Sequence, residues 1–177
     1  MSVDEHITVV DYDPRWPQQF DFEQKHVRPV FSQKIVDIQH FGSTAVPNLP
    51  AKPIIDILIG VTSLPLDRET ILNLAKLGYA YLGEAGVPGR LYFRKRQGQP
   101  FNLAVVKWQS DLWRNNLIMR DYLRANPIAV QRYGRHKQEL FAQGVETLIE
   151  YSERKAEMME KLLQQALAWY KNEIENH

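Results

Sequence analysis

The sequence predicts an α+β fold, a mixed β-sheet flanked by helices, with a C-terminal helical segment packed on it. Three observations carry this expectation. Short apolar segments of strand length, bounded by Gly and Pro, recur through the first 108 residues. One of them, Ile54 to Val61, is nearly uninterrupted and reads as a buried strand. From Ser110 onward the text turns helical, punctuated by Asn126-Pro127 and by Gly144.

In chain order, residues 7–12 alternate weakly and read as a short extended segment. Pro14 and Pro17 then open a helix that carries Trp16, Phe20, Val27 and Phe31 towards a core. Ile35 to Phe41 reads as a strand, followed by a Gly42-Ser43 turn and the Ile54 to Val61 strand. An amphipathic helix over Asp67 to Leu77 presents Ile71, Leu74 and Ala75, and Gly78 ends it. Tyr79 to Leu82, Leu91 to Lys95 and Phe101 to Val106 read as further strands, the last two joined as a hairpin across Gln97-Gly98-Gln99-Pro100. Helices are expected over 110–125, 127–142 and about 145–172. The stripe of Met158, Leu162, Ala166 and Trp169 on the last is core or interface. The whole of 1–177 is expected to form one domain, with 1–108 as its α/β core and 109–177 as helices on that core.

Composition limits the function classes. A chain of 177 residues with 44 % hydrophobic content can bury a sizeable core. A formal net charge of +1 carries no specific nucleic-acid signal and no signal for an acidic membrane surface. With no cysteine there is no disulfide framework and no thiol nucleophile, as fits a reducing compartment. The start lacks a basic-then-apolar signal region, and no apolar run approaches the ~20 residues of a membrane span. A cytoplasmic protein without membrane association is the expectation.

The most informative stretch runs from His40-Phe41-Gly42-Ser43-Thr44-Ala45-Val46-Pro47 through Lys52-Pro53 into Ile54-Ile55-Asp56-Ile57. Glycine allows close approach of backbone to a phosphate, and the hydroxyls and amides supply donors. Asp56 stands out, since an ionised carboxylate in an apolar strand requires a partner, a metal or an opening to solvent. A Gly-Ser turn next to a strand-borne carboxylate is nucleotidyltransferase-like, the arrangement with which that fold sets a phosphate beside a catalytic acid. Lys52 either neutralises phosphate charge or pairs with Asp56 or a surface acid.

Five stretches, in order, resemble the GrpB family, an uncharacterised group assigned to the nucleotidyltransferase fold. They are Val10 to Pro17, Phe41 to Ile57, Gly83 to Phe93, Arg120 to Pro127, and the late Tyr151 to Lys155 spacing. The resemblance implies in-line attack on a nucleotide α-phosphate, with metal ions held by two or three carboxylates. Asp56 is then the expected catalytic residue and Mg²⁺ ligand. The alternate strand position is Leu58, which leaves Glu84 as the nearest sequence candidate for a second catalytic and metal-binding carboxylate. Many sequences of the family carry Thr-His-His-Leu-His-Val-Val where this chain has Pro100 to Val106, so two same-face histidines become Asn102 and Ala104. Asn102 still hydrogen-bonds a ligand, but neither residue titrates near neutral pH.

Between Glu84 and Asp111 there is no acidic residue, whereas Arg90, Arg94, Lys95, Arg96 and Lys107 fall in the gap. This is either a triphosphate clamp, centred on Arg90 and Arg94, or a charged edge strand. Alternation puts Arg90, Tyr92 and Arg94 on one face and Leu91, Phe93 and Lys95 on the other. His40 either contacts phosphate or is a satisfied strand-end histidine. Arg120 and Asp121 are helix neighbours on different faces, each able to pair elsewhere. Tyr133 with Lys137, and Tyr151 with Lys155, share helical i,i+4 spacing, so each pair either lends a cation to the cleft or forms a solvated face.

Gly42, Ser43, Thr44, Lys52, Arg90, Arg94, His40 and Asn102 are therefore the expected nucleotide- or phosphate-binding residues. The expected activity is Mg²⁺-dependent nucleotidyl transfer from a nucleoside triphosphate to a small molecule or protein. The alternative is a non-catalytic protein that binds a nucleotide or phosphorylated metabolite in the same cleft.

Overall fold

A computed structural model describes residues 4–175 of the chain. The elements are α1 (Trp16–Val27), β1 (Ile35–Phe41), β2 (Ile55–Val61), α2 (Arg68–Lys76), β3 (Ala80–Tyr81), β4 (Arg90–Lys95), β5 (Phe101–Lys107), α3 (Asp111–Ala125), α4 (Pro127–Ala142) and α5 (Leu148–Glu175). The strands form one sheet in the order β1-β2-β5-β4-β3. β2 and β5 run parallel and the other pairs antiparallel, so the fold is α+β with a mixed sheet, as the sequence predicts.

Strand alternation divides the core. Ile55, Ile57, Ile59 and Val61 of β2 join Leu103 and Val105 of β5 and Phe93 of β4 on one face, against Trp16, Phe20 and Val27 of α1 and Leu74 of α2. On the opposite face Leu58, Ala104 and Val106 pack with Trp113 of α3. β2 is therefore buried on both sides, which is why its sequence is almost continuously apolar. Gly60 is required by that packing, because the rings of Trp108 and Trp113 occupy the space where its Cβ would lie. Two register positions before Leu58↔Ala104, past Ile57↔Leu103, comes the pair Asp56↔Asn102 on the same face as Leu58. These two polar residues lie beyond the apolar Trp113 cluster, and a cleft opens there.

A second apolar cluster links the helices to the loop before β2: Val46 and Leu49 meet Leu123, Ala129, Val130, Tyr133 and Leu162. The N-terminal segment fastens the ends of this layer. Ile7 N donates to Glu146 O and Leu148 N donates to Glu5 O, and Val10 bridges to Ala51.

Several boundaries differ from the sequence expectation. α1 ends at Val27, and a 3₁₀ segment, Arg28–Lys34, continues to β1 with Ser32 at φ 51°. Phe31 is buried from that segment rather than from the helix. β3 is only Ala80–Tyr81, and residues 7–12 form no strand, their one β-bridge pairing Val10 with Ala51. α5 starts at Leu148 and reaches Glu175, with Leu162 and Ala166 buried as its core stripe.

Candidate functional site

The cleft measures about 990 Å³ and is walled by the β1–β2 connection, the cleft-side face of β2, β4 and β5, and helices α3, α4 and α5. Asp56 lies in its floor. Asn102 Nδ2 donates to Asp56 Oδ1 at 2.7 Å, and Asn102 Oδ1 accepts from Arg96 Nη2 at 2.9 Å. Arg96 in turn makes a bidentate pair with Glu5, at 2.8 and 2.7 Å. Burial acts to raise the Glu5 carboxyl, but the Arg96 hydrogen bond and charge outweigh it and hold Glu5 below the usual carboxylate range. The amide orientation of Asn102 is thus fixed at both ends, with its NH₂ towards the carboxylate.

The turn beside Asp56 is built on Gly42, at φ 72° and ψ −168°, a region that only glycine adopts readily. It brings Ser43 and Thr44 to the cleft wall. Ser43 Oγ receives a hydrogen bond from Lys137 Nζ at 2.6 Å, and the same Nζ donates to Pro50 O at 2.9 Å. Lys137 is 1 % exposed and stands over the Tyr133 ring, 4.2 Å from its centroid. Lys155 of α5 and Lys52 both approach the Tyr151 ring, at 5.0 and 5.7 Å.

Three lysines thus reach one cleft that holds the single strand carboxylate. Burial pushes Lys137 well below the ordinary lysine value, the charges of Lys155 and Lys52 act in the same direction, and Asp56 opposes them. Burial lowers Lys52 to about 8 and also lowers Lys155, again against the pull of Asp56. The phenols respond in the opposite sense: burial raises Tyr133 to about 12 and raises Tyr92 and Tyr151 as well.

Arg90 enters from β4. Its Nη2 donates to Glu84 O at 3.2 Å and Ala85 O at 2.9 Å, and its guanidinium lies 4.7 Å from the Tyr92 ring centroid. Its Nε is buried with no hydrogen-bond partner, and burial lowers its pKa.

Of the residues singled out from sequence, Asp56, Gly42, Ser43, Thr44, Lys52, Arg90 and Asn102 line this cleft. Glu84, Arg94 and His40 do not. The Glu84 carboxylate accepts from Gly89 N at 2.7 Å and closes its own loop. Arg94 lies 3.6 Å from Glu5. His40 bonds Thr44 Oγ1 at 2.9 Å and stacks on Phe20, and burial with the charges of Arg124 and Arg120 lowers it to about 3. It is a neutral residue outside the cleft lining that steadies Thr44. Among the described residues, no group of three or more His, Asp or Glu is placed to hold a metal ion.

The i,i+4 pairs resolve in favour of the cleft, since Tyr133, Lys137, Tyr151 and Lys155 all line it. Arg120 lines it too, tied to Gln39 Oε1 and His40 O. Asn116, Met119 and Met159 complete the helical wall, and nothing in their local sequence marks them out.

Comparisons with known proteins agree with this architecture. The family model described as GrpB protein matches residues 6–165. A glutamate-rich protein GrpB from Alkalihalophilus pseudofirmus is 33 % identical, over 89 % of this chain and 94 % of that protein. UPF0157 protein YqkA from Bacillus subtilis is 32 % identical over 93 % of this chain, which spans only about half (48 %) of that relative. The crystal structure of conserved protein GrpB from Enterococcus faecalis superposes with a TM-score of 0.81 at 31 % identity, covering 92 % of this chain and 99 % of that one. The match over nearly the whole described chain, in sequence and in fold, places the protein in the GrpB family.

Proposed function

We propose that the cleft binds a phosphorylated small molecule, a nucleotide among them, and that it does so without a divalent metal. One observation carries this reading: Lys52, Lys155 and Arg90 converge on a cleft whose lining carboxylates among the described residues are Asp56 and the exposed Glu153. Burying cations is unfavourable unless an anion compensates them, and burial lowers Lys52 and Lys155 despite the pull of Asp56. A phosphate group offsets it, accepting from Lys52, Lys155 and the unpartnered Nε of Arg90. The nucleotidyltransferase-like turn at Gly42-Ser43 supports a phosphate position beside it. Phe41, Met119 and Met159 offer an apolar wall for the rest of the ligand.

The residues present do not fit a two-metal centre. Such a centre needs two or three carboxylates. The alternate position on β2 is Leu58, buried in the Trp113 cluster, and the Glu84 carboxylate is engaged by the Gly89 amide. On β5, Asn102 is spent on Asp56 and Ala104 lies in the same apolar cluster.

Calorimetric titration with inorganic pyrophosphate and with nucleoside triphosphates, in EDTA and again with Mg²⁺, tests the reading. Saturable binding in EDTA is expected. Binding that requires Mg²⁺ and is accompanied by pyrophosphate release from a triphosphate would establish the nucleotidyltransferase instead.

A further inference from the structure

We propose that Ser43 and Lys137 form a nucleophile–base dyad that hydrolyses carboxylic esters bearing an anionic group. The dyad is a geometric fact before it is a chemical one: Lys137 Nζ lies 2.6 Å from Ser43 Oγ, held from the other side by Pro50 O at 2.9 Å. Ser43 and Lys137 both line the cleft, Lys137 only 1 % exposed. No carboxylate pairs with Lys137 among the described ion pairs, and the groups that face it are Tyr133 on its own helix, Lys52 before β2, Lys155 on α5 and Asp56 on β2. Burial and the two lysines favour its neutral form, which is the form that acts as a base. A neutral amine in this position donates one N–H to Pro50 O and turns its lone pair to the Ser43 hydroxyl. Serine paired with lysine is a known way to activate a weak nucleophile.

The chemistry balances with water as the only co-reactant. The Oγ–acyl carbon bond forms as the hydroxyl proton passes to Nζ and the carbonyl π pair moves onto oxygen. Collapse of that intermediate expels the alkoxide, which takes the proton back from the Lys137 ammonium. Water then attacks acyl-Ser43, giving a proton to Nζ, and Ser43 departs with that proton as the carboxylic acid is released. Lys52, Lys155 and Arg90 in the same cleft favour substrates with an anionic arm and offset the developing oxyanion. The dyad does not depend on the phosphate-binding reading, and a neutral reagent tests it alone.

A fluorophosphonate reagent, whose phosphorus bonds to an activated serine oxygen as fluoride leaves, is incubated with the whole chain and the adduct followed by intact-mass and peptide mapping. A single adduct on Ser43 is expected, absent in Ser43→Ala and formed about 100-fold more slowly or less in Lys137→Met. Methionine keeps the length and apolar stem of the buried lysine, and a melting curve confirms that the variant is folded. Should it fail to fold, the wild-type labelling rate decides: it rises with pH to a plateau if Lys137 is the base. No adduct on Ser43, an adduct that forms as fast in folded Lys137→Met, or a wild-type rate that keeps rising in proportion to hydroxide without a plateau overturns the dyad.

Discussion

Gly42 lies directly against Asp56, so closely that a Cβ on Gly42 would sit 2.7 Å from Asp56 Oδ2 and 3.2 Å from Asp56 Cβ. The turn that presents Ser43 and the strand that presents the carboxylate are therefore one packed unit. Gly42 also holds φ 72° with ψ −168°. Gly42→Ala suffers on both counts, and we expect a loss of about 1–3 kcal/mol in urea unfolding. Stability equal to wild type would mean that the turn relaxes freely and does not fix the geometry of the cleft.

The lysines make a second prediction. Each of Lys52→Met and Lys155→Met should weaken pyrophosphate binding by about tenfold or more, since a charge-assisted hydrogen bond contributes roughly 1.5–3 kcal/mol. Neither should destabilise the unliganded protein, because each relieves repulsion among half-buried cations. Calorimetry and thermal melts on the same samples measure both. Unchanged affinity in the two variants would place the anion elsewhere.

Protonation gives opposite signs for stability and for binding. Lys52 falls from its ordinary 10.5 to about 8 on folding, so between those values the unfolded chain holds more protons than the folded one. Stability of the unliganded protein should therefore rise with pH from about 8 to 10.5, and Lys155 and Lys137, also lowered, add in the same direction. Anion affinity should fall as pH rises above about 8, because Lys52 loses the charge that the anion uses. Titrations at pH 7 and 9, in buffers of different ionisation enthalpy, should show proton uptake on binding at the higher pH. Affinity that is flat across this range would remove Lys52 from the site.

Much of this was legible in the sequence. The strands of the sheet followed from apolar runs and turn residues, and the Asp56↔Asn102 pairing gives spatial meaning to a carboxylate that stood out in an apolar run. Helical spacing brought Tyr133 with Lys137 and Tyr151 with Lys155 to attention, but spacing cannot say which way a helix face turns. Only the packing of α4 and α5 on the loop before β2 directs those faces into the cleft. The cation cluster in and after β4 is only partly legible, for a related reason. Arg96 and Arg94 meet Glu5, and Lys95 meets Glu23, acids remote in sequence that local charge counting cannot pair with them. Glu84 lost its expected place to its own loop, where the Gly89 amide lies within reach five residues on.

In the proposed function the cleft takes an anion on its lysines and arginine, with Asp56 opposing rather than assisting. The affinity of Asp56→Asn for pyrophosphate in EDTA, measured by calorimetry against wild type, tests it most directly. Asparagine keeps the shape and removes the negative charge, so binding should tighten while the melting curve stays that of a folded protein. Loss of binding in Asp56→Asn, together with a requirement for Mg²⁺ in the wild type, would contradict the account and make Asp56 a metal ligand.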